Sequence, residues 1–344
     1  MVSGGAAFVS EVERLVLPVV RRLQRGIRER VVAAFQAQDQ RSLSGVVGDA
    51  GGDTIYAVDR VSEAVLVAEL EREAQTLGGI VLVAEGLEEG RLVLPRGSDE
   101  RAARYLFIVD PIDGTRGLMY QKRSAWVLTG VAPNVPNARL SDLVLAVKTE
   151  IPLLKQHLAD ELWALRGRGV SALRTNVLTG ETQPLELLPS RAPTIEHGFA
   201  MLTRFFPGVR DAIAALDDEL VRALLGPLPA GRAACFEDQY ISTGGQLYEL
   251  IAGHDRFNAD LRPLFDRILA ERGEPPGLCC HPYDVCTALI AEEAGVLVTG
   301  ADGGPLDAPL DVTTPVAWVG YANAALRAGI EPVLQAALRR RGLV

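Results

Sequence analysis

Asp110-Pro111-Ile112-Asp113-Gly114-Thr115 follows directly on the apolar run Tyr105-Leu106-Phe107-Ile108-Val109. The run reads as a buried strand, and the hexapeptide as its exit. Pro111 fixes its own φ and donates no backbone hydrogen bond, so the chain is expected to leave the sheet abruptly there. Asp110 and Asp113 can then converge on one point, and converging carboxylates repel unless a cation or a proton lies between them. The carbonyl of Ile112 adds a neutral oxygen ligand between the two. Hard oxygen donors of this kind suit Mg²⁺, which keeps several waters and shares its shell with substrate phosphates. Gly114 and Thr115 then offer unobstructed backbone N–H groups at an expected helix start, where phosphate binds well. Taken alone, the six residues read equally well as a β-turn with a helix N-cap, because Asp-Pro and Asp-Gly are both common turn dipeptides.

Around this segment the chain alternates helical and extended patterns. Residues 8–37 carry apolar side chains at helical spacing, with Pro18 expected to kink or split the helix and an arginine-rich face expected to lie in solvent. Residues 45–53 read as a Gly-rich loop, and Tyr56 to Leu77 as a second amphipathic helix stopped by Gly78-Gly79. A short buried strand over Ile80 to Ala84 ends at Glu85. Strands are expected at 125–131, 143–148, 161–166 and 171–177, with a hairpin at Gly167-Arg168-Gly169 and a further strand reaching Leu188. The Pro189–Pro193 segment marks a boundary between an N-terminal α+β metal-binding domain over 1–190 and a C-terminal α/β domain over 191–344. The second part predicts a strand over 198–203 and helices over 208–225, 243–252 and 261–272. A single helix over 283–294, a strand over 296–299, a turn over 300–304 and a last helix over 322–340 complete it.

The bulk properties bound the function. A chain of 344 residues, with 23% charged and 48% hydrophobic residues, is an ordinary globular composition that can bury a large core. A net charge of −9 argues against a broad nucleic-acid-binding face, while leaving room for a local basic pocket for one phosphate. No apolar stretch approaches a membrane span, and the first residues lack a signal-peptide pattern. The four cysteines, Cys235, Cys279, Cys280 and Cys286, follow neither a disulfide framework nor a zinc-ribbon spacing and read as reduced thiols, with the cytoplasm as the default compartment. There is no P-loop Gly-Lys-Ser/Thr and no Cys-x5-Arg phosphatase motif.

The hexapeptide Asp110–Thr115 resembles the signature of the inositol monophosphatase superfamily, and the resemblance extends from about residue 45 to about residue 320. It implies a layered αβαβα sandwich of mixed α+β and α/β character. It implies a Mg²⁺-dependent phosphomonoesterase with two or three ions, acting on a small phosphorylated metabolite such as a sugar or polyol phosphate. A fructose-1,6-bisphosphatase, a 3′(2′),5′-bisphosphate nucleotidase or a non-catalytic regulatory relative are the alternatives within it. It further implies a homodimer, while the net charge and the lack of a long apolar stretch predict no nucleic-acid or membrane partner.

The resemblance also implies roles for single residues. Glu85, at a strand end, matches a metal-ligating Glu upstream of the signature, with Gly86 where a second acid often follows. Asp284, before a helix that carries Glu293-Ala294-Gly295, matches a further ligand, with Tyr283 in place of the usual Trp. Its alternative reading is a first-turn helix acid. One ion is thereby assigned to Glu85, Asp110 and the Ile112 carbonyl, and a second to Asp110, Asp113 and Asp284. Thr115, paired with Asp59, would orient the attacking water, and the backbone of Gly114 and Thr115 would take the phosphate. Asp53 falls at a mobile loop of the family, with an N-cap as its equal alternative. Ser242 and Gly244 match a small-residue segment beside the substrate. Arg262 stands where a second phosphate could be bound, or forms a surface salt bridge. Gly277 occupies the spacing at which inositol-selective members carry a Glu.

Overall fold

The protein is described here by a computed structural model covering residues 2–37, 46–50, 53–227 and 231–344, with side chains described for 6–37, 62–227 and 231–344. Helix α1 (Val2–Ala37) runs unbroken through Pro18, and α2 (Ala57–Leu77) packs beside it. Between them β1 (Val46–Ala50) and β2 (Asp53–Tyr56) pair antiparallel, where a loop was expected. Val46, Val47, Thr54, Ile55 and Tyr56 are β-branched or aromatic, and such residues favour strands.

Eight strands form the main sheet: β3 (Ile80–Ala84), β4 (Arg91–Leu94), β5 (Tyr105–Asp113), β6 (Ala125–Pro133), β7 (Leu145–Ile151), β8 (Leu158–Leu165), β9 (Val170–Asn176) and β10 (Thr182–Pro184). Their order is β10-β9-β8-β7-β6-β5-β3-β4, antiparallel except for the parallel pair β3 and β5. The last strand of this series ends at Pro184 rather than reaching Leu188.

Strands β3 and β5 are apolar on both faces because both faces are covered. Ile80, Leu82, Tyr105, Phe107 and Val109 pack against α1 and α2. Val81, Val83, Leu106 and Ile108 point the other way, into a second core. That core reaches a four-stranded sheet of β11 (Phe199–Leu202), β12 (Asp255–Asp260), β13 (Leu297–Gly300) and β14 (Trp318–Tyr321), in the order β11-β12-β14-β13.

Helix α3 (Thr115–Met119) follows β5, and α4 (Arg210–Leu225), α5 (Thr243–Ile251), α6 (Asp266–Glu271), α7 (Pro282–Val285), α8 (Ala288–Glu293) and α9 (Ala324–Arg340) complete the chain. Helices α5 and α8 touch both sheets, whereas α4 and α9 pair with each other outside the small sheet. The layers therefore run helix, sheet, helix, sheet, helix.

The single helix expected over 283–294 is two, α7 and α8, interrupted at Cys286-Thr287. Val285, Cys286 and Thr287 are a run of weak helix formers, and the sequence periodicity did not register the break. Among the described residues no helix is long and apolar enough to cross a membrane.

Candidate metal centre

The strand β5 does not leave the sheet at Pro111, as expected, but continues to Asp113. Asp110 pairs with Leu128 of β6 and Asp113 with Trp126, so three steps on β5 oppose two on β6. This is a one-residue bulge at the Pro111-Ile112 pair, where proline withholds a ladder hydrogen bond. In a regular strand, residues three apart point to opposite faces. The bulge reverses that parity and lets both carboxylates face the same side. Asp110 Oδ1 also accepts the Ile112 N–H at 2.9 Å, which fixes the turn of the bulge.

Asp113 is held from the opposite layer. Its Oδ2 accepts the Ser242 hydroxyl at 2.7 Å and the Gly244 N–H at 2.6 Å, and its Oδ1 accepts the Thr243 N–H at 3.2 Å. Ser242 is the N-cap of α5, its Oγ accepting the Gly245 N–H at 2.8 Å. The contact needs glycine on both sides. Gly114 has φ 94°, and a Cβ there would lie 3.0 Å from Ser242 Cβ. A Cβ on Gly244 would lie 2.8 Å from Asp113 Oδ2.

Asp284 comes from the second half of the chain. It sits at the start of α7, where its Oδ2 accepts the His281 N–H at 2.6 Å. The capping role and the convergence with the signature are thus both realised. Oxygens of Asp110, Asp113 and Asp284 lie within 4.8 Å of one another. Glu85 follows β3, whose Ala84 pairs in parallel with Val109, so Glu85 emerges beside Asp110 at the shared strand end. It is exposed and lies outside the tight triad, yet its charge acts on both Asp110 and Asp284.

Burial, followed by the charges of Asp113, Glu85 and Asp284, pushes the Asp110 carboxyl well up. Burial, followed by Asp113 and Glu85, does the same to Asp284. Asp113 rises only to about 6, because the Ser242 and Gly244 hydrogen bonds and the Lys148 charge offset its burial. A buried, all-oxygen cluster of carboxylates that repel one another is the donor set that a hard divalent cation such as Mg²⁺ fits. The Ile112 carbonyl accepts the Thr115 hydroxyl at 2.8 Å, so these two assigned groups touch each other. The side chains of Asp53 and Asp59 lie outside the described residues.

No protein-family model matches the chain, and no curated protein matches it by sequence. Solved structures do match. The extragenic suppressor protein suhB of Bartonella henselae superposes with a TM-score of 0.62 at 16% identity, over 93% of this chain and 98% of that one. The Leishmania major fructose-1,6-bisphosphatase gives 0.66 at 15% identity, over 95% and 94%. An inositol monophosphatase–fructose 1,6-bisphosphatase gives 0.63 at 17% identity, over 93% and 98%. The chain has the inositol monophosphatase fold.

In this fold the triad forms the floor of a cavity of about 900 Å³. Glu85, Gly114, Thr115, Ser242 and Arg262 line it, whereas Gly244 lies behind Asp113. Arg262 is buried and its guanidinium is already engaged. Nε and Nη2 donate to Asp260 at 2.9 and 2.6 Å, and Nη1 donates to the Leu278 carbonyl at 3.0 Å. The ion pair that was the alternative reading of Arg262 is therefore present, but buried rather than at the surface. The guanidinium also packs on Phe205 and Phe206, 4.6 and 5.2 Å from their ring centres. Sequence reading did not single out these two aromatics. Their position just past the C-terminal end of β11 was the available signal, since α/β sites gather at strand ends.

Proposed function

We propose that the protein is a Mg²⁺-dependent phosphomonoesterase acting on a small phosphorylated sugar or polyol. The observation that carries this reading is the convergence of Asp110, Asp113 and Asp284 within 4.8 Å on the floor of the cavity. Asp110, Asp113, Asp284, Glu85 and the Ile112 carbonyl would hold the ions. Divalent cations in such a site neutralise phosphate oxygens, acidify water and stabilise a departing alkoxide.

The remaining steps belong to the chain. Asp113, fixed by three donors from α5, keeps its carboxylate oriented before substrate arrives. The backbone of Gly114 and Thr115 would receive the phosphate, and Thr115, with Asp59, would orient the attacking water. Phe205 and Phe206, edge to face at 4.8 Å, give the far wall an apolar surface for the carbon skeleton of the substrate. Arg262 offers the cavity its charge rather than an open fork, which supports a monophosphate over a bisphosphate.

The test is phosphate release from a panel of sugar, polyol and nucleoside phosphates, with Mg²⁺ and with a chelator. Turnover that stops with the chelator and returns with Mg²⁺ is expected. Undiminished turnover in the chelator would sink the reading. Asp113→Asn should lower turnover by about two orders of magnitude or more in a folded protein.

A further inference from the structure

Lys148 lies in the middle of β7 with its side chain fully buried. Its neighbours Leu145 and Val147 face α1, and Lys148 shares the opposite face with Ala146, toward α5. The ammonium donates to the carbonyl of Gly244. It lies over the rings of Trp126 and Tyr248, 4.6 and 5.6 Å from their centres, and those two rings pack 4.8 Å apart. An ammonium taken fully out of water costs several kcal/mol unless anions answer it. Burial pulls the Lys148 ammonium down to about 7, against the charges of Asp113 first, then Glu249 and Glu150.

Gly244 joins the two charges. Its carbonyl accepts from Lys148, and its own N–H donates to Asp113 Oδ2 at 2.6 Å. One peptide residue thus stands between a buried cation on β7 and a carboxylate of the triad on β5. Asp110 and Asp284 have no such arrangement among the described residues: each accepts a backbone N–H from its own turn.

We propose that Lys148 is a positioning residue for Asp113: its buried Nζ pins the Gly244 carbonyl, and the Ser242–Gly245 turn so held presents its hydroxyl and N–H groups to the carboxylate. This inference rests on the proposed metal-dependent function, and its test separates the two.

The experiment compares the parent with Lys148→Met and Lys148→Arg. In metal-free protein, hydrogen exchange at the amides of Thr243 and Gly244 should be at least about tenfold faster in the methionine variant and near the parent rate in the arginine variant. Mg²⁺ affinity by calorimetry should fall by about 10–100-fold in Lys148→Met and recover in Lys148→Arg. Unchanged exchange, or a methionine variant that binds Mg²⁺ as the parent does, overturns the proposal. A purely structural lysine would lower stability without moving Mg²⁺ affinity. If the parent itself binds no Mg²⁺, the proposed function fails, while the exchange measurement still decides whether Lys148 anchors the turn. Should Lys148→Met not fold, Lys148→Gln, which keeps a donor without the charge, is read by the same two measurements.

Discussion

Arg262 grips Asp260 with two nitrogens of its guanidinium, Nε 2.9 Å from Oδ1 and Nη2 2.6 Å from Oδ2. Both side chains are buried at the end of β12. Removing one partner of such a pair strands the other charge, which typically costs about 3–5 kcal/mol. Arg262→Ala should therefore lower unfolding free energy by that amount in urea. Any loss of substrate affinity should be similar for a monophosphate and a bisphosphate. A selective loss on the bisphosphate would show that the guanidinium also serves the ligand.

Asp110 sits where its charge is opposed by burial and by three other carboxylates. Asp110→Asn removes that burden, so the variant should be more stable than the parent in chelator. Added Mg²⁺ should raise the melting temperature of the parent and leave the variant nearly unmoved. Turnover should be lost. Thermal unfolding with and without Mg²⁺ reads all but the last of these outcomes.

Gly244 has no room for a side chain. A Cβ would lie 2.6 Å from Leu128 Cδ2 and 2.8 Å from Asp113 Oδ2. Gly244→Ala should cost about 1–3 kcal/mol by overpacking. It should also lower turnover more than its stability loss explains, because the displaced atom is a carboxylate oxygen of the triad. Activity measured well below the melting temperature separates the two effects.

Asp255, remote from the triad, gives a pH test of burial. Burial lifts it from 3.8 to about 6, with Glu249 and Asp238 adding to the rise and Asn258 and His254 opposing it. The folded state therefore holds the proton more tightly than the unfolded chain between those values, and stability falls as pH rises through that window. Above it the penalty is at most roughly 3 kcal/mol. Asp255→Asn should be more stable than the parent above pH ~6 and equal to it below pH ~4. Parallel stability curves across that range would show that Asp255 does not carry this penalty.

The β5 part of the centre was legible because its residues are contiguous. Asp110 to Thr115 follow one another, whereas Glu85 and Asp284, at a strand end and a helix start, were assigned through the resemblance. The bulge was not legible, since parity along a strand depends on pairing with β6, which no run of β5 residues encodes. Short strands such as β4 and β14 have four residues each and too few alternations to stand out. Lys148 was missed for a related reason. A lone lysine in an apolar strand reads as an edge or a solvent face, and only the packing of α5 shows what its charge meets. Phe205 and Phe206 read as ordinary apolar residues until β11 places them on the cavity wall.

The triad draws two members from β5 and one from α7, elements that lie in different layers and far apart along the chain. Contacts so distant in sequence cost more loop-closure entropy than local sheet pairing does. The centre is therefore a product of the finished tertiary structure, and it is expected to form late in folding. During refolding, recovery of β-sheet signal should precede recovery of Mg²⁺ binding, and the lag between them should time the docking of the C-terminal half onto the main sheet.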